Sequence, residues 1–129
     1  MRLLMSKAFG RFARSNDITD AELWEVVERA EKGLIDADLG GKVIKQRIAR
    51  AGEGKSGGFR SIILFKADAK AVFVYGCEKS ALDNIGPREL NAYKEAAKVI
   101  LNLSDAELTT AIKKGAFIEV PKPATSEMQ

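Results

Sequence analysis

Three segments decide the fold: Val43-Ile44-Lys45-Gln46-Arg47-Ile48-Ala49-Arg50, then Ala51-Gly52-Glu53-Gly54-Lys55-Ser56-Gly57-Gly58, then Phe59-Arg60-Ser61-Ile62-Ile63-Leu64-Phe65. They read as two strands joined by a glycine-rich basic hairpin. A turn at Asp68-Ala69-Lys70 leads to a third strand, Ala71-Val72-Phe73-Val74-Tyr75-Gly76-Cys77, which completes an antiparallel unit. Side chains alternate along a strand, so Lys45 and Arg47 share one face while Ile44, Gln46 and Ile48 share the other. Ile62–Phe65 and Val72–Val74 are apolar without a break, the pattern of central strands covered on more than one side.

On the N-terminal side, Arg2 to Met5 reads as a short edge strand. Lys7 to Arg14 reads as a brief helix with Phe9 and Phe12 on one side. Thr19-Asp20-Ala21-Glu22 has capping-box spacing and opens a helix with Leu23, Val27 and Ala30 on one face, Trp24 flanking as a core residue, and a stop near Gly33. Asp36 to Gly41 reads as a turn. On the C-terminal side, Pro87 marks the first turn of a helix with the stripe Leu90, Tyr93, Ala97, Ile100 and Leu101. Ser104-Asp105-Ala106-Glu107 is a second capping box, and Gly115 ends the helix it opens. Phe117 to Val120 is extended. Residues 1–120 form one domain on this reading, and 121–129 form a polar tail.

The 129 residues are 46% apolar, enough for a single core, and carry a formal charge of +3. The distribution of charge says more than the total. Arg2, Lys7, Arg11 and Arg14 precede an acidic segment from Asp17 to Asp38, and six cations stand between Lys42 and Arg60 against Glu53 alone. Concentrated cations favour a polyanion. The single cysteine, Cys77, pairs with nothing within the chain and lies in an apolar run, which suits a reducing cytoplasm. No stretch approaches the roughly 20 apolar residues that span a bilayer. Histidine is absent. That excludes Ser-His-Asp and Cys-His catalysis and imidazole zinc sites.

Gly54-Lys55-Ser56 invites a phosphate-loop reading, but that motif needs a glycine where Ala49 stands and a helix where Phe59 begins a strand. What remains is a hairpin whose glycines let backbone N–H groups approach an anion. Lys45, Arg47 and Arg60, with Arg50 and Lys55, are the candidate phosphate site. Arginine grips phosphate through two N–H groups, whereas lysine is a point charge that acts as a base when neighbouring cations depress its pKa. Lys79 extends the group at the end of the third strand. Tyr75 reads as a core residue with its hydroxyl satisfied, catalysis being the lesser alternative, and Tyr93 and Cys77 read as core residues. Phe59 reads as strand packing, with stacking on a base as its functional alternative.

VIKQRIARAGEGKSGGFRSIILF, then KAVFVYGCEKSALDNI and PRELNAYKEAAKVILNLSDAEL, together resemble the RelE/ParE superfamily of bacterial toxins, closest to its HigB-like branch. The resemblance implies an α+β fold: a small curved antiparallel β-sheet with two N-terminal helices packed on one face, and C-terminal helices after the last strand. It further implies the toxin of a type II toxin–antitoxin module, a ribosome-dependent endoribonuclease that cuts mRNA in the A site without a metal or cofactor. By position, Lys45, Arg47, Arg60 and Lys79 match the catalytic cations. Arg50, Lys55, Lys42 and Phe59 fall where RNA or ribosome would be held. Some members place a tyrosine or histidine near the C-terminus for acid–base work, and no residue here matches it. A helix-turn-helix antitoxin is the implied partner, with operator DNA reached only through it. The rival classes are a ParE-like inhibitor of DNA gyrase and a binding module that only docks RNA or the antitoxin.

Overall fold

The computed structural model describes residues 1–50, 54–78 and 85–123, with the backbone alone for Arg50 and residues 54–57. The elements are β1 (Arg2–Ser6), α1 (Lys7–Ser15), α2 (Asp20–Glu31), β2 (Ala37–Gly40), β3 (Val43–Arg50), β4 (Gly54–Lys66), β5 (Lys70–Glu78), α3 (Pro87–Ile100), α4 (Asp105–Lys113) and β6 (Phe117–Glu119). The strands form one open sheet in the order β2-β3-β4-β5-β1-β6.

The β3-β4-β5 unit is antiparallel as its sequence suggests, and the sheet corrects three expectations. β1 is not an edge strand. It runs parallel to β5 and antiparallel to β6, and Val120 N–H donates to the Leu3 carbonyl at 2.8 Å. Covered by both neighbours, Leu3 and Leu4 are fully buried. The segment read as a turn before β3 contains β2, which pairs with it. β4 begins at Gly54, because the ladder continues to Arg50 opposite Gly54; of the expected loop, Ala51–Glu53 lie outside the described residues.

Helices cover both faces. α1 and α2 bury Phe9, Leu23 and Val27 against Ile44, Ile48, Ile63 and Phe73. α3 and α4 bury Leu101 and Leu108 against Leu4, Val43, Ile62 and Val72. The caps are those the sequence signals. Thr19 Oγ1 accepts from Glu22 N–H at 3.1 Å while Glu22 Oε1 accepts from Thr19 N–H at 2.8 Å, and Ser104 and Glu107 repeat the exchange in α4. Lys70, expected in a turn, opens β5 and is buried; its Nζ donates to the carbonyls of Leu101 and Leu103, the orphan acceptors past the end of α3. Trp24 is core, and its indole N–H reaches the carbonyls of Val120 and Pro121 at 3.3 and 3.1 Å. Among the described residues, no helix is long and apolar enough to cross a membrane.

Candidate nucleic-acid interface

β3 is held from its α2-facing side. The buried Gln46 amide donates to the carbonyls of Val26 and Leu34, and its carbonyl accepts from Asp36 N–H at 2.6 Å. Arg29 of α2, also buried, donates to the Arg47 carbonyl at 2.6 Å, and Ser61 Oγ donates to the Gln46 carbonyl at 2.9 Å. These bonds satisfy buried polar groups and fix the strand's rotation. Lys45 and Arg47 are thereby turned to the opposite face.

On that face the register builds two rows across three strands. Lys45, Ile62 and Tyr75 stand opposite one another in the first, and Arg47, Arg60 and Cys77 in the second. Directly opposed residues of an antiparallel pair share a face at about 5 Å. Two arginines so placed repel, a cost unless an anion lies between or beside them.

Arg47 has such an anion. Its backbone N–H donates to Asp36 Oδ2 at 2.7 Å and its guanidinium to Asp36 Oδ1 at 3.3 Å. Burial pushes the Asp36 carboxyl up, but the amide and guanidinium of Arg47, with the charge of Arg29, outweigh it and hold the carboxyl below the ordinary aspartate range. The Arg47 side chain remains 42% exposed, so Asp36 positions it without covering it. Arg60 is half-buried, and its Nη1 is buried with no hydrogen-bond partner among the described residues. A buried guanidinium N–H without an acceptor carries a desolvation cost.

The other predicted site residues are distributed differently. Lys42 is exposed in the β2–β3 turn, five residues and about 17 Å along the strand from Arg47. There it lines a recess with Lys98 of α3 and Asn102 just beyond that helix. Phe59 is 3% exposed on the α1-facing side of the sheet, its ring 5.5 Å from that of Phe12. The base-stacking role is corrected by that placement: the ring is packed in the core, on the face away from Lys45 and Arg60. The side chains of Arg50 and Lys55, and Lys79 entirely, lie outside the described residues.

Tyr75 reverses a second expectation. Between the pairs Ile62–Tyr75 and Ile63–Phe73, β5 carries one residue more than β4. Strict alternation would have put Tyr75 in the core beside Phe73; the bulge at Val74 turns it to the cationic face. It is 39% exposed there. Gly76 confirms the geometry, since a Cβ on it would lie 2.5 Å from the Phe12 ring, on the α1 side. Tyr93 of α3 is only half-buried rather than core; burial, the nearby Tyr75 and Glu89 push its phenol up. Cys77 is buried, as read. Sequence reasoning missed Asp36 as a member of this face and gave Tyr75 a catalytic role only as the lesser alternative to core packing. Neither local pattern signals them, because both depend on strand pairing.

Among the described residues, no group of three or more Cys, Asp or Glu is placed to hold a metal ion. No curated protein sequence matches the chain. A family model described as the RelE toxin of the RelE / RelB toxin-antitoxin system matches residues 1–120. Toxins of this family are generally translation-inhibiting ribonucleases, and each pairs with a cognate antitoxin. An α+β sheet with helices on both faces, an arginine pair at its centre and a match from the first residue to the end of the last strand lead to one conclusion: the chain belongs to the RelE toxin family of toxin–antitoxin systems.

Proposed function

We propose that the protein is a ribosome-dependent mRNA endoribonuclease, closest to the HigB-like branch of its family, that uses the Lys45–Arg47–Arg60 face to cut RNA by internal transesterification. The observation that carries this reading is Arg60, opposite Arg47 with a buried N–H that has no protein acceptor among the described residues. The nucleophile is the ribose 2′-hydroxyl. Lys45 takes its proton, the 2′-oxygen bonds to phosphorus, and the bond to the 5′-oxygen breaks to leave a 2′,3′-cyclic phosphate. Arg60, with Arg47 beside it, carries the charge that develops on the phosphate oxygens. The fixed β3–β4 ladder supplies preorganised cations, and the ribosome supplies the bent A-site codon, which together remove much of the entropic barrier. By the family resemblance, Lys79 adds positive charge, and Arg50 and Lys55 hold backbone phosphates. The partner antitoxin is a helix-turn-helix repressor of the shared operon.

The test is expression of the toxin alone in a bacterial host, with mapping of RNA 5′ ends on translated and untranslated copies of one message. Growth arrest with cuts confined to the translated copy supports this reading. Arrest with intact mRNA and damaged DNA replaces it with gyrase inhibition.

A further inference from the structure

Transesterification needs a proton donor for the departing 5′-oxygen, and the arginines of the face are poor ones because a guanidinium holds its protons so tightly. We propose that Tyr75 is the general acid, its phenol delivering that proton from the end of the row opposite Lys45. The inference rests on the nuclease reading above.

Three observations place it there. First, Lys45 and Tyr75 are the two ends of one cross-strand row, with the fully buried Ile62 between them. Their Cα atoms are therefore about 10 Å apart, two strand spacings. Attacking and leaving oxygens lie on opposite sides of phosphorus in an in-line displacement, so base and acid must stand apart with the phosphate between. Second, Arg60 is diagonal to Tyr75 across β4 and β5, about 7–8 Å away at Cα, and thus sits to the side of the Lys45–Tyr75 line. A cation in that place meets the non-bridging oxygens rather than either apical oxygen. Third, the β-bulge at Val74 and the absent side chain of Gly76 exist at the two residues flanking Tyr75. The first turns the phenol out of the core, and the second lets α1 close on the other side. A bulge beside a reactive site is a common device for re-aiming one side chain.

The step balances. The 2′-OH proton passes to the Lys45 amine, the O2′–P bond forms, the P–O5′ bond breaks, and the Tyr75 hydroxyl proton passes to O5′. The phenolate is reprotonated by solvent. Tyr93, close to Tyr75 and shielded on α3, borders this end of the row.

The experiment is single-turnover cleavage of a short synthetic mRNA set in the ribosomal A site, with either oxygen or sulfur as the bridging 5′ atom at the scissile bond. A thiolate departs without protonation, so loss of the acid no longer matters for the sulfur substrate. Wild type, Tyr75→Phe and Tyr75→Leu are compared. The expected result is a loss of about 10²–10⁴-fold for Tyr75→Phe on the oxygen substrate and less than about threefold on the sulfur substrate. Equal losses on both substrates overturn the proposal. So does a Tyr75→Phe rate within about threefold of wild type on oxygen. In that case loss in Tyr75→Leu alone identifies the ring as a platform for a base. If wild type cuts neither substrate, the nuclease reading itself fails and takes this inference with it. If wild type cuts and Tyr75→Phe cuts as well, only this inference fails.

Discussion

Arg47 and Arg60 face one another across the β3–β4 ladder, with Asp36 bound to the first and no protein acceptor at Nη1 of the second among the described residues. Like charges directly opposed in a sheet are destabilising, and a buried N–H without an acceptor adds a desolvation cost. Both costs fall on the free protein. Arg60→Met is expected to raise Tm in the absence of RNA by about 3–5 °C, from about 1 kcal/mol of relief, even though it removes the proposed stabilising cation. Calorimetry checks it; a lowered Tm would mean that Arg60 is a structural residue.

Asp36 sets an acid dependence. Its carboxyl is held below the ordinary aspartate range in the folded protein, so its contribution is fully present above the unfolded pKa near 4 and is lost as pH falls through the folded value. Asp36→Asn is expected to cost about 1–2 kcal/mol at neutral pH and to converge with wild type at the acid end. Glu119, held down by its hydrogen bond to Arg2, keeps the same sign in both proteins and cancels in the comparison. Denaturant melts from pH 7 down to pH 2 would measure the two curves, and parallel curves would refute the assignment.

Gly76 is required by contact, not by backbone conformation. A Cβ would meet the Phe12 ring at 2.5 Å and Phe9 at 2.9 Å, and both rings are locked in an aromatic cluster with Phe73 and Phe59. Gly76→Ala is expected to destabilise by about 1–3 kcal/mol through overpacking. Pairing it with Phe12→Leu should recover part of that loss in urea unfolding, as coupled neighbours do.

Lys70 joins the end of α3 to the sheet through two carbonyl bonds made by a buried ammonium. Lys70→Met keeps the stem but leaves both acceptors without a donor. The expected cost is about 1–3 kcal/mol, with faster amide exchange in the last turn of α3 than in α2. Uniform loosening of all helices would show that the lysine has no local role.

The legible parts of this chain were those written in local pattern. Thr19/Glu22 and Ser104/Glu107 are reciprocal at a spacing of three residues, so two helix starts could be read directly. Alternation along Val43–Ile48 gave the two faces of β3, because that stretch has no bulge before Ile48. Tyr75 reads as core from sequence because the one unpaired residue at Val74, which inverts the side chains after it, leaves no mark in composition. β1 reads as an edge in sequence because its neighbour β6 arrives from more than 110 residues later in the chain. Asp36 joined the site only through β2–β3 pairing and the Gln46 amide. Phe59 was ambiguous in sequence because a strand aromatic suits a core and an RNA face equally well; its parity with Ile48 decides for the core.

The most direct measurement compares Arg60→Ala with wild type in two quantities, single-turnover cleavage of A-site mRNA and affinity for the programmed ribosome. Cleavage is expected to fall by about 10²–10³-fold or more while affinity falls less than about tenfold, because the guanidinium acts mainly on charge that appears in the transition state. Equal losses in both, or unchanged cleavage, would contradict the account and leave the arginine pair as a docking surface.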